Sequence, residues 1–155
     1  MGDPRRNEVF AQFILRNFPK AKSILCVADG KGDLAAALAR KGKRVRVVEE
    51  KPRFAGIAPR GLRYTKGRFT RSSEVPEDLI VGMHPDAATE AIIRAAKRHG
   101  KGFAVVPCCH MLENGGSACV ASPGGWRNYL MGLWGGSLST ELRGMTGRNV
   151  VIWHR

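Results

Sequence analysis

Apolar residues recur along this chain in two rhythms. From Glu8 to Phe18, the side chains of Val9, Phe10, Phe13 and Ile14, extended by Leu15 and Phe18, share one helical face before Pro19 interrupts the pattern. An opening helix is predicted there. Ser23 to Ala28 is instead a short continuous apolar run, bounded by the turn Asp29-Gly30-Lys31-Gly32, as expected of a parallel strand buried on both faces. Leu34 to Lys41 has the leucine and alanine content of a helix, with Gly42 just beyond its end, and Arg44 to Glu49 is a second, valine-rich strand.

The same alternation continues. Leu62 to Phe69 is a third strand by position, weakened by Gly67. Asp78 to Met83 is a strand, Ala87 to Arg98 a helix closed by His99-Gly100, and Gly102 to Cys108 another buried strand. A loop from Met111 to Gly125 then leads to a helix over Trp126 to Trp134, and Asn149 to Trp153 is the one strand expected after the fifth. This order predicts an α/β fold of the Rossmann type, with a mainly parallel central sheet and helices on both faces. No internal repeat or linker interrupts residues 1–155, so one domain is expected.

In such a sheet, ligands bind beyond the carboxyl ends of the strands, where strand order reverses. Ala28, Asp29, Gly30 and Gly32 occupy that place after the first strand: glycine lets backbone approach a ligand, and the amides opening the next helix offer donors. Glu49 ends the second strand about twenty residues later, where a carboxylate can accept from both hydroxyls of a ribose; Glu50 beside it is the weaker candidate. Turn and acid together indicate a nucleoside-type ligand. By themselves they do not separate adenosylmethionine from a dinucleotide, although the missing third glycine of GxGxxG argues against NAD.

The fourth strand ends in Met83-His84-Pro85-Asp86. His84 and Asp86 project toward the same rim and are the candidate bases, with capping of the following helix as the competing role of Asp86. The fifth ends in Pro107-Cys108-Cys109-His110. Adjacent cysteines on a strand point to opposite faces, so a shared metal is not expected; one thiol is a buried apolar group, while Cys109 and His110 line the pocket opposite His84.

Composition narrows the field of partners. The 26 Lys and Arg residues against 13 Asp and Glu give a net charge of +13. Twelve of the basic residues lie between Arg40 and Arg71, with only Glu49 and Glu50 as acids. Such a field attracts polyanions, RNA among them. No apolar stretch is long enough to cross a bilayer and residues 1–10 lack an apolar signal core, so a cytoplasmic protein without a membrane partner is expected. The four cysteines include an adjacent pair and no CxxC, so reduced thiols are expected rather than disulfides or zinc.

The series Val27-Ala28-Asp29-Gly30-Lys31-Gly32, Val47-Val48-Glu49, Gly82-Met83-His84-Pro85-Asp86 with Ala88-Thr89-Glu90, and Val106-Pro107-Cys108-Cys109 resembles a group of class I methyltransferase-like proteins. Members of that group carry a VAGGKG turn, a VVD strand end, an HPDxATE segment and a VPCC segment. The closing Gly147 to Trp153 is similar to its ending, so the resemblance spans nearly the whole chain. More distantly, these motifs are similar to those of acceptor-stem tRNA 2'-O-methyltransferases.

The resemblance implies S-adenosyl-L-methionine as cofactor, held at Ala28, Asp29, Gly30, Gly32 and Glu49. It also implies methyl transfer near His84, Asp86, Cys109 and His110, with an acceptor in RNA. Three positions depart from the pattern. Cys26 stands where many class I methyltransferases have an acid, Ala28 replaces the first glycine of their turn, and Asp29 replaces a glycine of the closer group. The Asp29 carboxylate is placed either to meet the methionine ammonium or to obstruct the turn. That departure and the short chain raise a second expectation: a non-catalytic module using its basic face to hold RNA or a ribonucleoprotein.

Overall fold

Strands whose residues are apolar on both faces need cover on both, and the chain supplies it. The computed structural model describes residues 2–54, 56–116 and 122–155. Its elements run α1 (Arg6–Asn17), β1 (Ser23–Val27), α2 (Asp33–Arg40), β2 (Arg44–Glu49), β3 (Leu62–Lys66), β4 (Leu79–Met83), α3 (Ala88–His99), β5 (Gly102–Val106), α4 (Pro123–Leu133), β6 (Leu138–Glu141) and β7 (Val150–His154). Seven strands form one sheet in the order β3-β2-β1-β4-β5-β7-β6. The first five are parallel, whereas β7 is antiparallel to both its neighbours.

Period-two alternation sorts the core into two layers. Ile24 and Cys26 of β1 face Phe10, Ile14, Leu34 and Leu38 of α1 and α2. Leu25 and Val27 face the other way, toward Ile92 and Ile93 of α3 and Trp126 and Leu130 of α4. Cys26, at the position often held by an acid, is fully buried, and that burial pushes its thiol pKa up.

Differences from the sequence reading have local causes. Pro107, which has no N–H to give the ladder, follows the last residue of β5, so Cys108 lies beyond the strand and not within it. The α4 helix begins at Pro123, earlier than Trp126, because the Ser122 hydroxyl accepts from the Gly125 amide at 3.0 Å and a proline occupies the first turn. Two strands follow the fifth, not one. Every residue of the extra strand β6 is exposed, and pairing with β7 holds it in place, with the Trp153 indole N–H donating to Thr140 Oγ1 at 3.0 Å. Residues 117–121 of the expected loop, Cys119 among them, lie outside the described residues.

Candidate functional site

Strand order reverses between β1 and β4: β2 and β3 extend to one side, β5, β7 and β6 to the other. The carboxyl ends of β1 and β4 open into a cleft of about 790 Å³, a size suited to a nucleoside-bearing ligand. Its walls come from the β1 turn, the ends of β2 and β4, Phe69, Cys108, and Arg6 and Asn7 of α1. Val27, Val48, Phe69 and Met83 make its apolar part.

The β1 turn is wound through left-handed backbone at Ala28 (φ 57°), Gly30 (φ 41°) and Gly32 (φ 80°). A Cβ on Gly32 would overlap the Tyr64 hydroxyl, so glycine is required there by space as well as by conformation. Gly30 packs under Arg53, whose amide donates to the Gly30 carbonyl at 2.9 Å. The Gly30 amide donates to Glu49 Oε2 at 2.9 Å, and the Lys51 amide donates to Glu49 Oε1 at the same distance. Glu49 thus ties the turn to the end of β2, while exposed Glu50 pairs with Arg68 at 3.7 Å.

Asp29 lines the cleft and also has a role that was not read from the sequence. Its Oδ2 accepts from the Ala35 amide at 2.8 Å and its Oδ1 from Leu34 at 3.4 Å, so it caps α2. The donors expected to face a ligand at this helix start are therefore engaged at Leu34 and Ala35. Burial raises the Asp29 pKa to about 7; the two amides oppose the rise, and repulsion from Asp33 and Glu49 adds to it.

The Tyr64 hydroxyl beside this turn is buried without a hydrogen-bond partner. Burial first, then the nearby carboxylates, push its pKa up to about 12, so it is a neutral donor. Sequence reasoning missed Tyr64, Arg53, Arg6 and Asn7. The alternation of β3 marks Tyr64 as inward-facing, but nothing in the chain order places α1 at the cleft.

At the end of β4, His84 and Asp86 both have left-handed φ, 52° and 48°. Such values are uncommon outside glycine and re-aim the side chains. His84 lines the cleft, and its Nε2 lies 3.0 Å from the Arg148 carbonyl. A carbonyl only accepts, so Nε2 carries the proton and Nδ1 is left as an acceptor. Burial lowers the His84 pKa and keeps the ring neutral near pH 7.

Asp86 lines the cleft too, but its side chain does not cap α3, whose N-cap residue Ala87 makes no side-chain cap bond either. The Asp86 carbonyl accepts from Thr89, while its Oδ1 accepts from the Cys108 thiol at 2.9 Å and lies 4.0 Å from the Cys109 sulfur. Both thiols lie beyond the end of β5 and turn toward one carboxylate, so the opposite-face rule for strands does not govern them. Burial and Asp86 push the Cys108 pKa up to about 12.

Cys108, not Cys109, forms the cleft wall. His110 lines a second cavity of about 420 Å³ with Trp126, Arg148 and Asn149 instead of facing His84. There His110 Nε2 and the Trp126 indole N–H are buried without partners.

The basic segment runs along the β3 edge of the sheet. Arg44, Arg63 and Lys66 are exposed there, and Lys51, Arg53 and Arg68 continue the charge to the cleft wall. Arg46 and Arg71 are taken up in ion pairs with Glu77 and Glu113. No helix among the described residues is long and apolar enough to cross a membrane.

No protein-family model matches the chain, and no curated protein matches its sequence. Solved structures do. A glycopeptide N-methyltransferase, MtfA, complexed with S-adenosyl-L-homocysteine is 14% identical with a TM-score of 0.63, over 96% of this chain and 88% of that one. The sugar N-methyltransferase KedS8 from a Streptoalloteichus species is 14% identical with a TM-score of 0.64, over 98% and 87%. Human N-acetylserotonin methyltransferase in complex with SAM is 14% identical with a TM-score of 0.61, over 96% of this chain and 53% of that longer one. Strand order, the antiparallel β7 and these likenesses together give the chain a Rossmann-like class I methyltransferase fold.

Proposed function

We propose that this protein is an S-adenosyl-L-methionine-dependent methyltransferase whose acceptor is RNA. The observation that carries the reading is the switch-point cleft in which the Gly30 amide and the Glu49 carboxylate meet at 2.9 Å. The residues present fit a nucleoside sulfonium ligand. Each Glu49 oxygen accepts one amide and keeps a lone pair for a ribose hydroxyl. Val48 and Phe69 offer apolar surface to a flat base, and Arg6 supplies a cation suited to an amino-acid carboxylate. Ala28, Asp29, Gly30 and Gly32 shape the turn against which such a ligand lies. Bound there, adenosylmethionine supplies an electrophilic methyl group.

Transfer to oxygen or nitrogen needs alignment, exclusion of water and at most one base. His84 supplies that base: its ring is neutral, oriented by the Arg148 carbonyl, and presents Nδ1 as the free acceptor. Asp86 is the alternative base, but the Cys108 thiol already engages its carboxylate. The basic β3 edge leads into the cleft and would hold phosphates by neutralisation and counterion release.

The test is transfer of labelled methyl from adenosylmethionine to RNA, with His84→Asn as the key variant because asparagine tolerates left-handed φ. Loss of the base should slow turnover about a hundredfold or more while adenosylhomocysteine affinity stays unchanged. Equal turnover removes the assignment. The capture of the Leu34 and Ala35 amides by Asp29 favours a second reading, a non-catalytic RNA-binding module on the same fold. Salt-dependent RNA binding without cofactor affinity would select it.

A further inference from the structure

We propose that Asp86, Cys108 and Cys109 form a binding site for a thiophilic divalent cation, zinc in chemical class, at the rim of the cleft. The proposal is independent of the methyl-transfer reading. One carboxylate oxygen and two sulfurs lie within 4.8 Å of one another. In a tetrahedral zinc site with bonds of about 2.3 Å to sulfur and 2.0 Å to oxygen, sulfur and oxygen ligands stand about 3.5 Å apart. The Asp86 Oδ1 distances of 2.9 Å to Cys108 and 4.0 Å to Cys109 straddle that value, so each oxygen-to-sulfur distance needs a change of only about half an ångström to match it.

Two backbone features produce the convergence. Pro107 follows the end of β5, which frees the vicinal thiols from the alternation that would send them to opposite faces. Left-handed backbone at Asp86, unusual for a residue with a side chain, aims its carboxylate at the thiols and away from the start of α3. Two thiolates with one carboxylate select a zinc-like cation over magnesium or calcium. Asp86 is exposed and both cysteines are only partly buried, so a cation can load into the folded protein.

Among the described residues no further His, Cys, Asp or Glu completes the cluster. A site with three protein ligands keeps an open position for water or a substrate atom, unlike a closed structural site. Asp86 and Cys108 both line the cleft, so that position opens toward it.

The experiment is titration of the reduced full chain with Co²⁺, followed by sulfur-to-cobalt charge-transfer absorption and then by Zn²⁺ displacement. One equivalent should develop the band. Cys108→Ser and Cys109→Ser should each remove about half its intensity, because each deletes one of two thiolates. Asp86→Asn should weaken binding more than about tenfold, the loss that removing even a supporting partner causes. Cys26 and Cys119 remain in every variant as internal controls. Cadmium-113 resonance of the wild-type chain, whose shift counts bound thiolates, gives an answer without any variant. Absence of charge transfer, a band unchanged in both serine variants, or unchanged affinity in Asp86→Asn would overturn the three-ligand site.

Discussion

Replacing Asp29 with asparagine should invert its effect on stability between acid and alkaline pH. The carboxylate caps α2 from a half-buried position at the cleft wall where desolvation raises its pKa to about 7, against roughly 3.9 in an unfolded chain. The folded state therefore binds the proton more tightly than the unfolded state. The resulting stabilisation is fully present below about pH 4, declines as pH rises through 7, and is absent above. About three pKa units correspond to at most about 4 kcal/mol, and partial access to the cleft reduces this to about 2–4 kcal/mol.

Asparagine keeps one carbonyl oxygen for the Ala35 amide and gives up the second acceptor, at a cost of about 1 kcal/mol that does not vary with pH. Asp29→Asn should thus be about 1 kcal/mol less stable than wild type near pH 3.5 and about 1–3 kcal/mol more stable near pH 8.5. Urea unfolding at a series of pH values measures both proteins under identical conditions, so titrations they share cancel in the difference. A constant difference across the range would refute the buried, proton-holding role of Asp29.

Gly32→Ala should destabilise the chain by about 2 kcal/mol or more, combining the cost of left-handed backbone with displacement of Tyr64; a melting temperature within a degree of wild type would contradict the packing described. Turnover that depends on neutral His84 should fall only as pH drops through a value below 6.5, since burial depresses its pKa and the protonated ring cannot accept a proton. A pH-rate profile whose acid limb lies above 6.5 would exclude that base.

Burial decided what the sequence could disclose. Strands β1, β2, β4 and β5 are covered on both faces, so their apolar runs are visible in the chain itself. Leu138–Glu141 has no buried position and therefore no pattern; it is a strand because β7 lies beside it. The Gly-rich turn and Glu49 were legible because βαβ order fixes where they meet. The capping role of Asp29 was not, since it depends on a side chain turning back to amides five and six residues ahead. Nor was the meeting of Cys108 and Cys109 at Asp86, which required knowing that β5 stops at Val106.

Calorimetric titration with adenosylhomocysteine, on wild type and on Glu49→Gln, tests the cofactor cleft most directly. Wild type should bind in the micromolar range, and binding should weaken about tenfold or more when a charged acceptor of the ribose becomes an amide. Absence of binding to wild type up to millimolar ligand would contradict that cofactor assignment.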